Sequence, residues 1–138
     1  VLFILEDADA RIARFRKVLG EIPHHIERTV PEAKQWLEEH GDTVALYSLD
    51  NDLYLPDFEG DPGEGWQLCE WLLERGVEAT IITHTSNGSA ATMMRMACER
   101  AEHPFFRVVP VGGWAEGVWI ERVETELIAA DALDPWKD

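Results

Sequence analysis

Three polar groups in this chain each follow directly on an apolar run. Glu6-Asp7 follows Leu2-Phe3-Ile4-Leu5, Asp50-Asn51-Asp52 follows Val44 to Leu49, and His84-Thr85-Ser86-Asn87 follows Ala79 to Thr83. If the runs are neighbouring strands, four carboxylates converge on one crevice. Crowded carboxylates repel one another and burial raises their pKa. A hard cation with oxygen ligands relieves both, and Mg²⁺ suits a few carboxylates that leave positions open for water and phosphate. Glu6, Asp7, Asp50 and Asp52 are therefore the candidate ligands. The competing reading is that they are exposed loop acids, as Asp and Glu usually are. His84 beside them suits a general acid or base, a metal ligand, or a structural imidazole bonded to a carboxylate. Asn87 can donate to a phosphate oxygen, with Thr85 and Ser86 beside it, or can cap the next helix.

The elements that must position these groups alternate between strand and helix. Leu2–Leu5, His25–Val30, Val44–Leu49, Ala79–Thr83 and Phe105–Val109 read as strands, the longer apolar runs being of the type buried on both faces. Between and after them, apolar residues recur at helical spacing: Ile12, Phe15 and Leu19; Ala33, Trp36, Leu37 and His40; Trp66, Cys69, Leu72 and Leu73; Met93, Met94, Met96 and Ala97; Trp119, Ile120, Val123 and Leu127. Asp9 and Ser89 are the expected caps of the first and fourth helices, and Thr29 to Glu32 is a capping-box pattern. Five βα units with right-handed crossovers predict a doubly wound α/β fold: a flavodoxin-like parallel sheet of order 2-1-3-4-5 flanked by five helices. Ligands of such sheets bind at the carboxyl ends of the strands, where the polar groups stand. One domain over residues 1–130 is expected, with a loose polar tail over 131–138.

The 138 residues carry 12 Lys and Arg against 27 Asp and Glu, a net charge of −15. That charge repels a phosphate backbone at long range and argues against bulk nucleic-acid binding. Arg11, Arg14, Arg16 and Lys17 hold four of the twelve bases and read as a solvated helix face. His24, His25, His40 and His103 read as surface residues, and Trp114 is placed to wall the site. No apolar run approaches the length of a membrane span. No signal peptide is expected, and the start at Val1 fits a trimmed initiator Met. Cys69 and Cys98 lack zinc-site spacing and suit a reduced, cytoplasmic protein.

From Val1 to about Leu127 the chain resembles the receiver domain of two-component response regulators. Glu6-Asp7 resembles its acidic pair, Asp52 with Pro56 four residues on its acceptor segment, and Thr83 or Thr85 its strand-four hydroxyl. A receiver has Lys at the end of strand five, where this chain has Val109-Pro110. The nearer resemblance is to the cyclic-phosphate-processing receiver branch, with Ser-Leu-Asp-His-Asp-Leu after strand three and His-Ser-x-Asn after strand four. Here these read Ser48-Leu49-Asp50-Asn51-Asp52-Leu53 and His84-Thr85-Ser86-Asn87. The resemblance implies action on cyclic phosphate, as RNA ends or a small cyclic phosphate, or on a related phosphoester. Glu6, Asp7 and Asp50 would hold a divalent cation and His84 would handle a proton. Asp52 would orient water or complete the metal shell, and Asn87 would hold phosphate. Proline spacing points to Asp52 as the acceptor position, whereas the branch motif and the end of the apolar run point to Asp50, which is favoured. The alternatives are an atypical response-regulator receiver and a pseudo-receiver module that binds a protein partner.

Overall fold

The computed structural model describes residues 1–135. The elements run β1 (Leu2–Leu5), α1 (Asp9–Leu19), β2 (His24–Glu27), α2 (Val30–His40), β3 (Leu46–Leu49), α3 (Gly65–Glu74), β4 (Thr80–Thr83), α4 (Gly88–Arg100), β5 (Phe105–Arg107) and α5 (Ile120–Ala129). All strand pairs are parallel and the order is β2-β1-β3-β4-β5, as expected. No helix among the described residues is long and apolar enough to cross a membrane.

Strand parity divides the core. Phe3, Leu5, Tyr47, Leu49 and Ile81 pack against α2, α3 and α4 through Ala33, Leu37, Leu68, Leu72 and Met94. Leu2, Ile4, Leu46 and Ile82 pack on the other face against Phe15 and Leu19 of α1 and Val123 and Leu127 of α5. Alternate residues of a strand point to opposite faces, so helices on both sides demand apolar residues at every position.

Several boundaries differ from the sequence reading. β2 starts at His24 and ends at Glu27, and Ile26 is half-buried, because this strand lies at the sheet edge. Thr29 belongs to the cap of α2: its Oγ1 accepts from the amide of Glu32 and donates to the Glu32 carboxylate. Ala8, not Asp9, occupies the cap position of α1. Asn87, not Ser89, caps α4, accepting from the Ala90 amide at 3.0 Å. α5 is preceded by a π-turn over Ala115–Trp119 that carries Trp114 and Trp119 into the core. His24 and His25 are half-buried in β2, and His25 stacks on Trp36 at 3.9 Å. His103 is half-buried too, bonded to the Ala79 carbonyl. Of the tail, Leu133 packs against the α1/α5 core; residues 136–138 lie outside the described residues.

Candidate functional site

The sheet register builds the site. Leu5, Leu49 and Thr83 are aligned across β1, β3 and β4. The residue after each continues the ladder: Asp50 N donates to Leu5 O and His84 N to Leu49 O, while Glu6 N donates to Glu27 O of β2. Glu6, Asp50 and His84 thus form one row just beyond the strands. By parity they share a face with Ile4, Ser48 and Ile82, the face covered by α1 and α5. This is why the row meets Phe15, Trp114 and Trp119.

Within this row, oxygens of Glu6, Asp7 and Asp50 lie within 4.8 Å of one another. Glu6 is fully buried. Its Oε2 accepts from the amides of Asp7 and Ala8, and its Oε1 lies 2.9 Å from His84 Nε2 and 3.3 Å from Arg11 Nη1. Burial pushes the Glu6 carboxyl up, but the His84 hydrogen bond and charge, Arg11 and the backbone overcome it and bring it down to about 2. Asp50 is pushed up to about 6, chiefly by burial and then by the Glu6 charge, against the pull of His84, the Asn51 amide and Arg11. Asp7 is also raised, mainly by burial, although its Oδ2 accepts the Tyr54 amide at 2.6 Å.

His84 has no exposed surface. It packs edge-on against Phe15 at 5.1 Å and alongside Trp114 at 5.8 Å. Its Nδ1 lies 2.8 Å from Ser48 Oγ, which accepts from Trp119 Nε1 at 2.9 Å. The indole can only donate. An unbroken chain therefore runs from Trp119 N–H to Ser48 Oγ, on through the Ser48 Oγ–His84 Nδ1 hydrogen bond, and from His84 Nε2–H to the Glu6 carboxylate. The order of acid, imidazole and hydroxyl matches a nucleophilic triad, but Ser48 is fully buried and cannot reach a substrate.

The other expected residues stand around this core. Asp52 lies outside the three-acid cluster; it is exposed, paired in an isolated bridge with Glu64, and its carboxylate accepts from Asn51 Nδ2 and Asn87 Nδ2. Asp50, and not Asp52, is thus the acid after β3 that groups with Glu6 and Asp7. Asn87 caps α4 with its oxygen and ties Asp52 with its nitrogen. Thr85 is buried and its Oγ1 accepts the Asn87 amide, while Ser86 is exposed. The Thr83 hydroxyl donates to Leu49 O. Trp114 walls the row as expected.

Two contributors were not legible. Arg11, read as part of a solvated face, turns its guanidinium onto the row, 3.3 Å from Glu6 and 3.6 Å from Asp50, and over the Trp114 ring. Its position five residues after Glu6 was the available signal, since the first helical turn folds back over the strand end. Gly65 is the second. A Cβ there would lie 1.8 Å from the Asp50 carbonyl oxygen. Only glycine lets α3 start against the β3 end. Asn51, fully buried, fastens this junction: its backbone O accepts from Gly65 N and its Oδ1 from Trp66 N.

This architecture has known counterparts. The family model described as the cyclic-phosphate processing receiver domain matches residues 4–100, and the chain belongs to that family. Among solved structures it is similar to a CheY-like response regulator receiver domain from Methanospirillum hungatei (19% identity, 94% of both chains, TM-score 0.70). A signal receiver domain of an HD domain-containing protein from Pseudomonas fluorescens is also similar (16% identity, 96% of this chain and 97% of that one, TM-score 0.69). A third is a response regulator receiver protein from Pseudoalteromonas atlantica (17% identity, 94% and 98%, TM-score 0.66). At these identities the likeness is one of fold. No curated protein sequence matches the chain.

Proposed function

We propose that this receiver-like domain is a divalent-metal phosphoesterase that opens cyclic phosphates, either at an RNA end or on a small nucleotide, in the cytoplasm. The observation that carries the reading is the convergence of Glu6, Asp7 and Asp50. Three hard oxygen donors, two of them with raised carboxyls, fit Mg²⁺. When bound, the cation supplies stabilisation of charge on the phosphate oxygens. In hydrolysis, water oxygen bonds to phosphorus, one ring P–O bond breaks, and the leaving ribose oxygen takes a proton.

The chain's own residues divide that work. Asp52, exposed and steered by Asn51, orients the attacking water or adds a carboxylate to the ion's surroundings. Asn87 Nδ2, released from Asp52, holds a phosphate oxygen together with Ser86 and the first amides of α4, while Thr85, buried, positions Asn87 by accepting its amide rather than binding phosphate itself. His84 is sealed beneath the row, so it acts through Glu6 as a positioning residue, its Nε2–H fixing the carboxylate, while the leaving oxygen takes its proton from solvent.

The test is a short oligonucleotide ending in a 2′,3′-cyclic phosphate, at low salt because the acidic chain repels the backbone. Mg²⁺-dependent conversion to a terminal monoester, abolished by EDTA and strongly reduced in Asp50→Asn, is the expected result. No conversion of this substrate or of nucleoside 2′,3′-cyclic monophosphates would remove the enzymatic reading. A second reading, a module that docks a protein, is favoured by the exposed Met93 and Met96 on α4 and Val109 and Val111 after β5.

A further inference from the structure

Arg11 is bonded to the same two carboxylates that a cation would need. Its Nη1 lies 3.3 Å from Glu6 Oε1 and 3.6 Å from Asp50 Oδ2, and 30% of its side chain is exposed. The guanidinium carbon sits 5.6 Å from the centre of the Trp114 ring. Two neighbouring cations are held by groups beside the acids, although the buried Nε of Arg107 has no partner among the described residues. Arg28 binds the Asp7 carbonyl and the Asp9 carboxylate, and Arg107 donates to the Thr85 carbonyl.

A guanidinium cannot lose its charge in a protein, so without a metal it is the counter-ion of Glu6 and Asp50. It cannot keep both carboxylates once they coordinate a divalent ion, because the same oxygens serve only one cation well. The indole face offers the displaced head a second resting place, since a cation over Trp is stabilised without a carboxylate. From there the planar fork is suited to two oxygens of a phosphate.

We propose that Arg11 is the phosphate-binding cation of the site and exchanges partners as the site fills: it yields Glu6 and Asp50 to the metal and takes phosphate oxygens while resting on Trp114. The inference rests on the metal-site reading above and adds a residue from α1 to it. Its signature is a pair of opposite effects. Removing the charge deletes a competitor of the metal and a ligand of the phosphate.

The experiment titrates wild type, Arg11→Gln and Arg11→Lys by calorimetry. Mg²⁺ alone is the first probe, and inorganic phosphate at saturating Mg²⁺ is the second. Arg11→Gln should bind Mg²⁺ several-fold more tightly than wild type. The same variant should bind phosphate roughly 10–100-fold more weakly, the worth of a charge-assisted hydrogen bond. Arg11→Lys, which keeps the charge but not the fork, should fall between the two for phosphate. Weaker Mg²⁺ binding in Arg11→Gln, or unchanged phosphate binding, overturns the exchange while the metal site stands. If wild type binds no Mg²⁺ at millimolar concentration, the exchange and the metal reading fall together.

Discussion

His84 Nε2 lies 2.9 Å from Glu6 Oε1, and neither side chain has any exposed surface. The pair spans β1 and β4, on either side of β3, and so ties three strand ends into one polar row. Removing His84 strips Glu6 Oε1 of its buried donor and leaves it Arg11 alone, at a cost of about 1–3 kcal/mol. His84→Ala also opens a hole against Phe15 and Trp114. We expect it to lower Tm markedly in a thermal melt, with or without Mg²⁺. His84→Gln, which keeps a donor, should recover part of the loss. Unchanged stability in His84→Ala would mean that the pair does not hold the row.

Asp50 gives the site a pH signature. Its carboxyl is raised from an ordinary 3.8 to about 6 in the fold. The folded state then holds this proton more tightly than the unfolded chain. Stability is present below pH 4, is lost as pH rises through 6, and stays lost above it. The loss amounts to about 3 kcal/mol as an order of magnitude. Glu6, lowered to about 2, acts with opposite sign and only below about pH 4.5. In EDTA, Asp50→Asn should match wild-type Tm near pH 4 and exceed it increasingly up to pH 6. A difference that is flat with pH would refute a raised Asp50.

Mg²⁺ should raise the wild-type melting temperature, since a ligand that binds only the native state stabilises it in proportion to RT ln(1 + [L]/Kd). At millimolar Mg²⁺ the increment should vanish in Asp50→Asn. The quantity to compare is the increment, because that variant starts from a stabilised apo protein.

Gly65→Ala should destabilise by about 2 kcal/mol or more, through forced displacement of backbone rather than loss of a contact. It should also weaken Mg²⁺ binding, because the displaced atoms belong to Asp50 itself. Gly88→Ala, where a Cβ meets nothing within 4 Å, is the matched control and should melt no lower than wild type.

Acetyl phosphate with Mg²⁺ should not leave a long-lived aspartyl phosphate. Val109 stands where the receiver resemblance places a lysine, and the Thr83 hydroxyl is committed to the Leu49 carbonyl. Intact-mass spectrometry after donor removal should show the unmodified chain. Stable stoichiometric phosphorylation at Asp50 would instead make the domain a phosphorylation-driven receiver.

The apolar runs ending at Leu5, Leu49 and Thr83 by themselves determined the α/β alternation, the strand order and the edge on which the polar residues gather. Burial on both faces requires continuous apolar strands, and parallel crossovers then admit few layouts. Those features are local or follow from chirality. That Asp50 rather than Asp52 joins the acid cluster was decided by register, because one step past the ladder puts Asp50 beside Glu6, while two residues later the chain has turned out toward Glu64. Ser48, the partner of His84, lies 36 residues from it, and Trp119, the partner of Ser48, lies 71 residues from Ser48, and no sequence period links them. Arg11 looked like a surface base, since its charge says nothing about where the first turn of α1 lands. Gly65 in a glycine-rich acidic loop gave no sign that it touches Asp50, because a close approach of two backbones exists only once α3 has docked on β3.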